Sequence, residues 1–376
     1  MKRILGLVLA VWLLAVPVQG VEVAGKGAIL MDAATGTILF EKNSHAPLPP
    51  ASVTKVMTML LIMEAIDGGQ IAWTDPVTAS EAAAAKGGSQ VYLKVGETMT
   101  VSDMVKSIAV SSANDCACAM AEHLAGSEAA FVERMNQRAK ELGMTDTHFV
   151  NCTGLDDDPD AQNHKTSAHD IAIMSRELLT HHPEIKQYTT IWMDTIRDGA
   201  FGLSNTNKMV RYYPGCTGLK TGFTSSAGYC LSASAQRDGL ELIAVVLGAE
   251  TSQDRFATCK SLLDYGFANY TSYEPVTQEG AAVPVTLGRE GSVAVVPEYS
   301  PQILVEKAKL GSITTEITLL PAVDAPVVPR QQLGMMTVKD GDTILAEVPL
   351  VAEYPVESLT WGDLMNQVLR RVAMAK

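Results

Sequence analysis

Hydrophobic and polar positions change rhythm several times along the chain, and each change marks an element. Gly27 to Asp32 and Thr37 to Glu41 are short apolar or alternating runs on either side of Ala33-Ala34-Thr35-Gly36, which predicts a β-hairpin. After Pro47-Leu48-Pro49-Pro50 the period lengthens. Val56, Met59, Leu60, Met63 and Ile66 share one helical face, closed by Gly68-Gly69, so a helix is expected from near Ser52. Similar patterns predict helices over Val101 to Val110, Asp115 to Leu124, Glu128 to Leu142 and Ala168 to Leu179. From Leu219 the rhythm shortens to strands over Leu219 to Thr224, Gly228 to Ala235 and Leu240 to Leu247, followed by a helix over Ser252 to Phe267. Strands at both ends with helices between predict an α+β domain, an antiparallel sheet flanked by helices rather than a parallel α/β repeat.

Beyond Tyr270 the texture changes. Residues 273 to 355 hold short β-rich runs such as Val293 to Pro297, Ile303 to Lys307, Ile313 to Leu320 and Thr343 to Leu350, with Asp340-Gly341-Asp342 as a turn. This predicts a second, all-β domain, and its lack of His and Cys assigns it no chemistry. In the tail, Ser358 to Lys376, Leu359, Trp361, Leu364, Met365, Val368, Leu369 and Val372 fall on one helical face. Asp363, Asn366, Gln367, Arg370 and Arg371 fall on the other. An interfacial helix lying in a membrane surface and a terminal helix docked on its own domain both fit this pattern.

At the other end, Lys2 and Arg3 precede the apolar run Ile4 to Val16, and Val18-Gln19-Gly20 offers small residues for cleavage, which predicts an export signal over residues 1–20. The run is shorter than the ~20 residues a membrane span needs. No cysteine follows it to accept a lipid.

Composition narrows the picture. A chain of 376 residues, 47% hydrophobic and 19% charged, has enough apolar surface for two ordinary globular domains. With 29 Lys+Arg against 42 Asp+Glu its net charge is -13, the wrong sign for neutralising phosphates, so nucleic acid is not an expected partner. Six scattered cysteines in a large exported chain suggest buried thiols rather than a disulfide framework. No metal is expected: seven histidines show no ligand spacing, and the acidic run around Asp156 lacks the glycine and late glutamate of a calcium loop.

Three short motifs carry the candidate chemistry: Ser52-Val53-Thr54-Lys55, Ser112-Ala113-Asn114 and Lys220-Thr221-Gly222. Taken singly, Ser52 reads as a helix N-cap, Ser112 and Asn114 as loop residues, and Lys220 as a solvated strand residue. Taken together, their order and element context match the set used for acyl transfer by active-site serine enzymes. Ser52 and Lys55, three apart at a helix start, share one face, so the lysine can reach the hydroxyl and activate it. The helix terminus favours developing negative charge, and a second cation, Lys220, would keep Lys55 neutral by like-charge repulsion.

On these motifs the chain resembles the low-molecular-weight penicillin-binding proteins that are serine-type D-alanyl-D-alanine carboxypeptidases. The likeness extends to Pro50 to Thr58, Asn151 to Leu155, Asn205-Thr206-Asn207, Gly218 to Thr224, Ala227-Gly228-Tyr229 and Leu262 to Phe267. The resemblance implies that Ser52 is acylated by the penultimate D-alanine carbonyl, with Lys55 as general base and Ser112 and Asn114 serving proton relay and substrate amide contacts. It implies an oxyanion hole from the backbone N–H groups of Ser52 and Phe223, and recognition of the terminal carboxylate by Lys220, Thr221 and Arg255, beside Gly222. Phe223 departs from the polar residue often found there.

The resemblance also implies domains at 21–270 (catalytic), 271–356 (β-rich spacer) and 357–376 (membrane-anchoring helix) on the outer face of the cytoplasmic membrane. Its substrate is a peptidoglycan stem peptide ending in D-Ala-D-Ala, its covalent inhibitors are β-lactams, and it needs no cofactor. A β-lactamase and a catalytically idle wall-binding or β-lactam-sensing protein of the same fold are the competing readings. Against the first, no E-x-x-L-N stretch follows Asn114; against the second, Ser52, Lys55 and Lys220 are intact.

Overall fold

The computed structural model describes residues 21–157, 159–275 and 280–374. The export signal read over residues 1–20 lies outside them. The N-terminal hairpin of β1 (Gly27–Asp32) and β2 (Ile38–Lys42) joins three strands that come much later, β3 (Cys216–Thr224), β4 (Gly228–Arg237) and β5 (Leu240–Ala249). The order is β2-β1-β5-β4-β3, antiparallel throughout.

Both faces of this sheet are covered, which explains the nearly unbroken apolar run of β5. Ile243, Val245 and Leu247 face one core, while Leu242, Ala244 and Val246 face another. The first core is filled by α1 (Lys55–Asp67), α2 (Val101–Ser111), α3 (Asn114–Ala125), α4 (Glu128–Glu141) and α5 (Ala168–His181). On the second face lies α6 (Ser252–Asn269), whose start is fixed by reciprocal capping between Thr251 and Asp254.

Two expectations shift here. The α-helix proper begins at Lys55, because Ala51–Thr54 forms a tighter 3-10 turn ahead of it. Its apolar stripe, read as one face, is only part of what is hidden: Val56, Met57, Met59, Leu60, Ile62 and Met63 are all fully buried, so α1 is a central helix. All six cysteines are free thiols, and five are buried.

After α6 the strand β6 (Tyr270–Tyr273) pairs with β9 (Ile303–Glu306). A six-stranded sheet follows, built from β7 (Ala282–Thr286), β8 (Ser292–Pro297), β10 (Ile313–Leu319), β11 (Val323–Asp324), β12 (Gln332–Asp340) and β13 (Thr343–Ala352). Its order is β10-β12-β13-β8-β7-β11. Val283, Val293, Leu333, Met336, Val348 and Leu350 form its core.

The terminal helix α7 starts at Trp361, not at Ser358, because the Thr360 hydroxyl accepts from the Asp363 N–H while the Asp363 carboxylate accepts from Thr360. It runs to Met374. Arg289 ties this end to the sheet through Glu357 and Asp363, yet Trp361, Met365, Val368 and Leu369 remain exposed.

Candidate active site

Ser52 sits in the 3-10 turn, and no side chain caps this end, so the capping role considered for it is not the one it plays. Its Oγ accepts a hydrogen bond from Lys55 Nζ at 2.9 Å. The same amine donates to the Thr153 carbonyl at 2.8 Å, so a loop far away in sequence fixes its direction. That loop reaches in because residue 154 is glycine. Its φ is +80°, and a β-carbon there would lie 1.9 Å from the Ala51 carbonyl oxygen.

Strand β3 forms the opposite wall. It approaches the serine turn closely because Gly222 has no side chain: a β-carbon would come 3.0 Å from the Ser52 nitrogen and 2.7 Å from the Pro50 carbonyl. Lys220 is buried, with Nζ donating to the Thr221 carbonyl at 2.9 Å. The Thr221 hydroxyl donates to Thr206 Oγ1 at 2.7 Å. Thr206 in turn gives its N–H to the Val110 carbonyl at the end of α2, which ties the two walls together.

The third side is the turn between α2 and α3. Ser112 caps α2 in left-handed backbone (φ 63°), a conformation that costs a non-glycine residue about 1–3 kcal/mol and is held by its surroundings. Asn114 donates its side-chain amide to the Gly87 carbonyl at 2.7 Å, leaving a buried Oδ1 with no partner among the described residues. The next residue, Asp115, is buried and accepts from the Val91 and Leu93 N–H groups, which fixes the loop beside the cleft.

Arg255 reaches the site from α6. Its Nη1 donates to the Gly222 carbonyl at 2.8 Å and the Cys230 carbonyl at 3.3 Å, and its guanidinium lies over the Tyr229 and Phe256 rings. Here it supports the backbone of β3 from behind. Phe223 is half exposed, and its ring packs on Tyr229 with centroids 4.3 Å apart.

Three cations therefore converge, and their hydrogen bonds go to a hydroxyl and to backbone carbonyls rather than to carboxylates. Burial pushes Lys55 down to about 7, against the opposing pull of Asp115. Burial, then Lys55 and Arg255, hold Lys220 well below its ordinary value. Burial is the largest influence on Lys55, and repulsion between the two buried lysines acts in the same direction. A partly exposed hydroxyl held by a buried amine, beside further buried cations, has the chemistry for nucleophilic attack on a substrate that carries an anion.

Sequence reasoning brought together Ser52, Lys55, Ser112, Asn114 and β3, but assigned nothing to Thr153, Thr206 or Asp115. The first two lie in the Asn151 to Leu155 and Asn205-Thr206-Asn207 stretches, where the only signal was resemblance. Thr153 acts through its carbonyl, which no side-chain motif can encode.

Comparison with known proteins agrees with this geometry. Residues 15–251 match the Peptidase_S11 family, D-alanyl-D-alanine carboxypeptidase, and residues 272–358 match the penicillin-binding protein 5 C-terminal domain. The chain is 42% identical over 334 residues to D-alanyl-D-alanine carboxypeptidase DacF of Bacillus subtilis, covering 87% of this chain and 85% of that one. It is 32% identical to DacD of Escherichia coli K12, covering 93% and 90% respectively. Among solved structures it resembles PBP3 of Streptococcus pneumoniae (TM-score 0.76, 30% identity, 89% of this chain and 100% of that one). It also resembles penicillin-binding protein D2 of Listeria monocytogenes in an ampicillin-bound form (TM-score 0.60, 32% identity, 66% and 99%). Motifs, fold and relatives agree, and the chain belongs to the S11 family of serine-type D-alanyl-D-alanine carboxypeptidases.

Proposed function

We propose that Ser52 is the nucleophile and Lys55 the general base of this carboxypeptidase, acting on peptidoglycan stem peptides. The observation that carries the reading is the 2.9 Å contact from Lys55 Nζ to Ser52 Oγ, on an amine that burial brings to about 7. At neutral pH a large share of such an amine is unprotonated and able to accept the serine proton. Ser52 Oγ then bonds to the penultimate D-alanine carbonyl, the peptide C–N bond breaks, and the proton passes by way of Ser112 to the departing D-alanine amine. Lys55 then deprotonates a water that attacks the acyl carbonyl, the ester bond to Ser52 Oγ breaks, and the proton passes back to Oγ as the shortened peptide leaves. A β-lactam amide is attacked in the same way.

The Ser52 and Phe223 N–H groups hold the developing oxyanion, a role supported by the close approach that Gly222 permits. Asn114 contacts the substrate amide, for which its unpartnered Oδ1 is suited. Lys220 and Thr221 take up the terminal carboxylate, while Arg255 contributes from behind by holding the Gly222 carbonyl of the strand that carries them. Among the described residues neither Lys220 nor Arg255 has an acidic partner, and an arriving carboxylate would restore the charge that burial disfavours in Lys220.

The partition into a catalytic unit (21–270), a β-rich spacer (271–356) and an anchoring helix (357–376) belongs to the same reading, with residues 1–20 directing export to the outer face of the cytoplasmic membrane. The exposed apolar residues of α7 support an interfacial helix. No described helix is long and apolar enough to cross a membrane. Incubating the protein with a muropeptide pentapeptide and weighing the product tests the function: loss of one alanine residue is expected, and an unchanged pentapeptide refutes it.

A further inference from the structure

Behind the cleft, one carboxylate links the two segments that orient the site, touching the backbone of one and a lysine side chain of the other. Glu128, the first residue of α4, accepts through Oε1 from the Cys152 N–H (3.2 Å) and the Cys152 thiol (3.2 Å). Through Oε2 it accepts from Lys86 Nζ at 2.6 Å, and the Cys118 thiol of α3 lies 3.8 Å from the same oxygen. The Cys152 and Lys86 contacts each lie one residue from a carbonyl that orients the site. The Cys152 carbonyl accepts from Thr58 of α1, and the next carbonyl, Thr153, accepts from Lys55. On the other side Lys86 precedes Gly87, whose carbonyl holds Asn114.

We propose that Glu128 is a positioning residue for acylation, clamping the Cys152–Thr153 backbone that directs Lys55 to the Lys86–Gly87 backbone that directs Asn114. The inference rests on the reading of Lys55 as base. The clamp has the charge it needs: burial alone would raise the Glu128 carboxyl, but Lys86 outweighs it and holds the group below its ordinary value. The Cys118 thiol and burial hold Cys152 well above its ordinary value, so it remains an S–H donor to Glu128.

Energetic scale separates this role from a structural one. The Lys86 and Glu128 side chains are only 25% and 21% exposed, so losing the carboxylate also costs some stability, and a Gln variant that still accepts from the Cys152 N–H separates that cost from the rate. Displacing a catalytic amine by an ångström costs far more in rate. The two halves of the clamp are also separable, because Oε1 serves the Lys55 side and Oε2 the Asn114 side.

The test uses the full chain with three variants, reading acylation rate by a fluorescent penicillin, kcat and KM on an acyl-D-Ala-D-Ala peptide, and thermal midpoint. Glu128→Ala should slow acylation by about tenfold or more while the midpoint moves only a few degrees. Glu128→Gln keeps an oxygen for the Cys152 N–H and should restore acylation to within about threefold of the wild type. Lys86→Met removes only the other half, and should raise KM for the peptide with acylation little changed. The proposal is overturned if Glu128→Ala acylates at the wild-type rate, or if the Ala and Gln variants lose rate equally in step with their melting points. Should Glu128→Ala fail to fold, Lys86→Met decides: an unchanged KM for the peptide refutes the clamp. A wild-type protein that penicillin never labels would instead refute the reading of Ser52 and Lys55 on which it rests.

Discussion

The two sheets of this molecule bury different things. Among the described residues, every buried polar or charged side chain lies at or before Thr258, and these include Lys55, Lys220, Asn114, Asp115 and Arg255. The core of the second sheet is made only of apolar side chains such as Val283, Leu333, Met336 and Val348. Burying an amine without an acidic partner costs stability and shifts its proton affinity. The first domain bears that cost beside the Ser52 hydroxyl, and its sheet is covered on both faces. With no such groups to hold, the second domain has one-sided strands, as the alternation of exposed and half-buried positions along β10 reflects.

If that contrast is right, changes to the buried cations should dominate. Lys55→Arg should lower acylation by about 10²–10⁴-fold, since a guanidinium cannot serve as the base. Lys220→Arg keeps a positive charge and should lose much less, chiefly as a higher KM. Equal losses in both would erase the division between the two lysines. In the wild type, burial lowers Lys55 to about 7, so protonation below that pH removes the base. Acylation should therefore rise with pH through about 7, and a flat profile from pH 5 to 9 would contradict the assignment.

A core change in the second domain sharpens the comparison from the other side. Met336 is fully buried, and Met336→Ala should destabilise that domain by about 2–5 kcal/mol while leaving hydrolysis of a small soluble D-Ala-D-Ala peptide unchanged. Calorimetry beside the peptide assay checks both. The smallest effect on chemistry is expected at the tail: Leu364→Asp with Leu369→Asp should release the protein from anionic vesicles with the soluble-peptide rate intact. Burial of such side chains contributes about 1.5–3 kcal/mol each. Persistent vesicle binding would show that α7 is not the anchor.

The main elements of the first domain were legible because their rhythms are strong. The β5 run and the six long helices stand within a few residues of where the periodicity predicts them, and Ser52 and Lys55 meet as i, i+3 spacing requires. What escaped was made of backbone or of weak signals. Thr153 works through a carbonyl, and Gly154 matters through an absent side chain. Strand β12 was missed because Gln332–Asp340 interrupts its apolar positions with Gly334 and carries only Thr337 and Val338 as β-branched residues. The burial that depresses Lys55 is a tertiary property, which motif spacing alone does not encode.

The most direct test of the central claim is the mass of the protein after brief exposure to benzylpenicillin, followed by digestion and mapping of the adduct. The account predicts a gain of one drug molecule, confined to the peptide that contains Ser52, with Ser52→Ala losing both the adduct and the release of D-alanine. An adduct on any other residue, or a Ser52→Ala protein that still releases D-alanine, would contradict it.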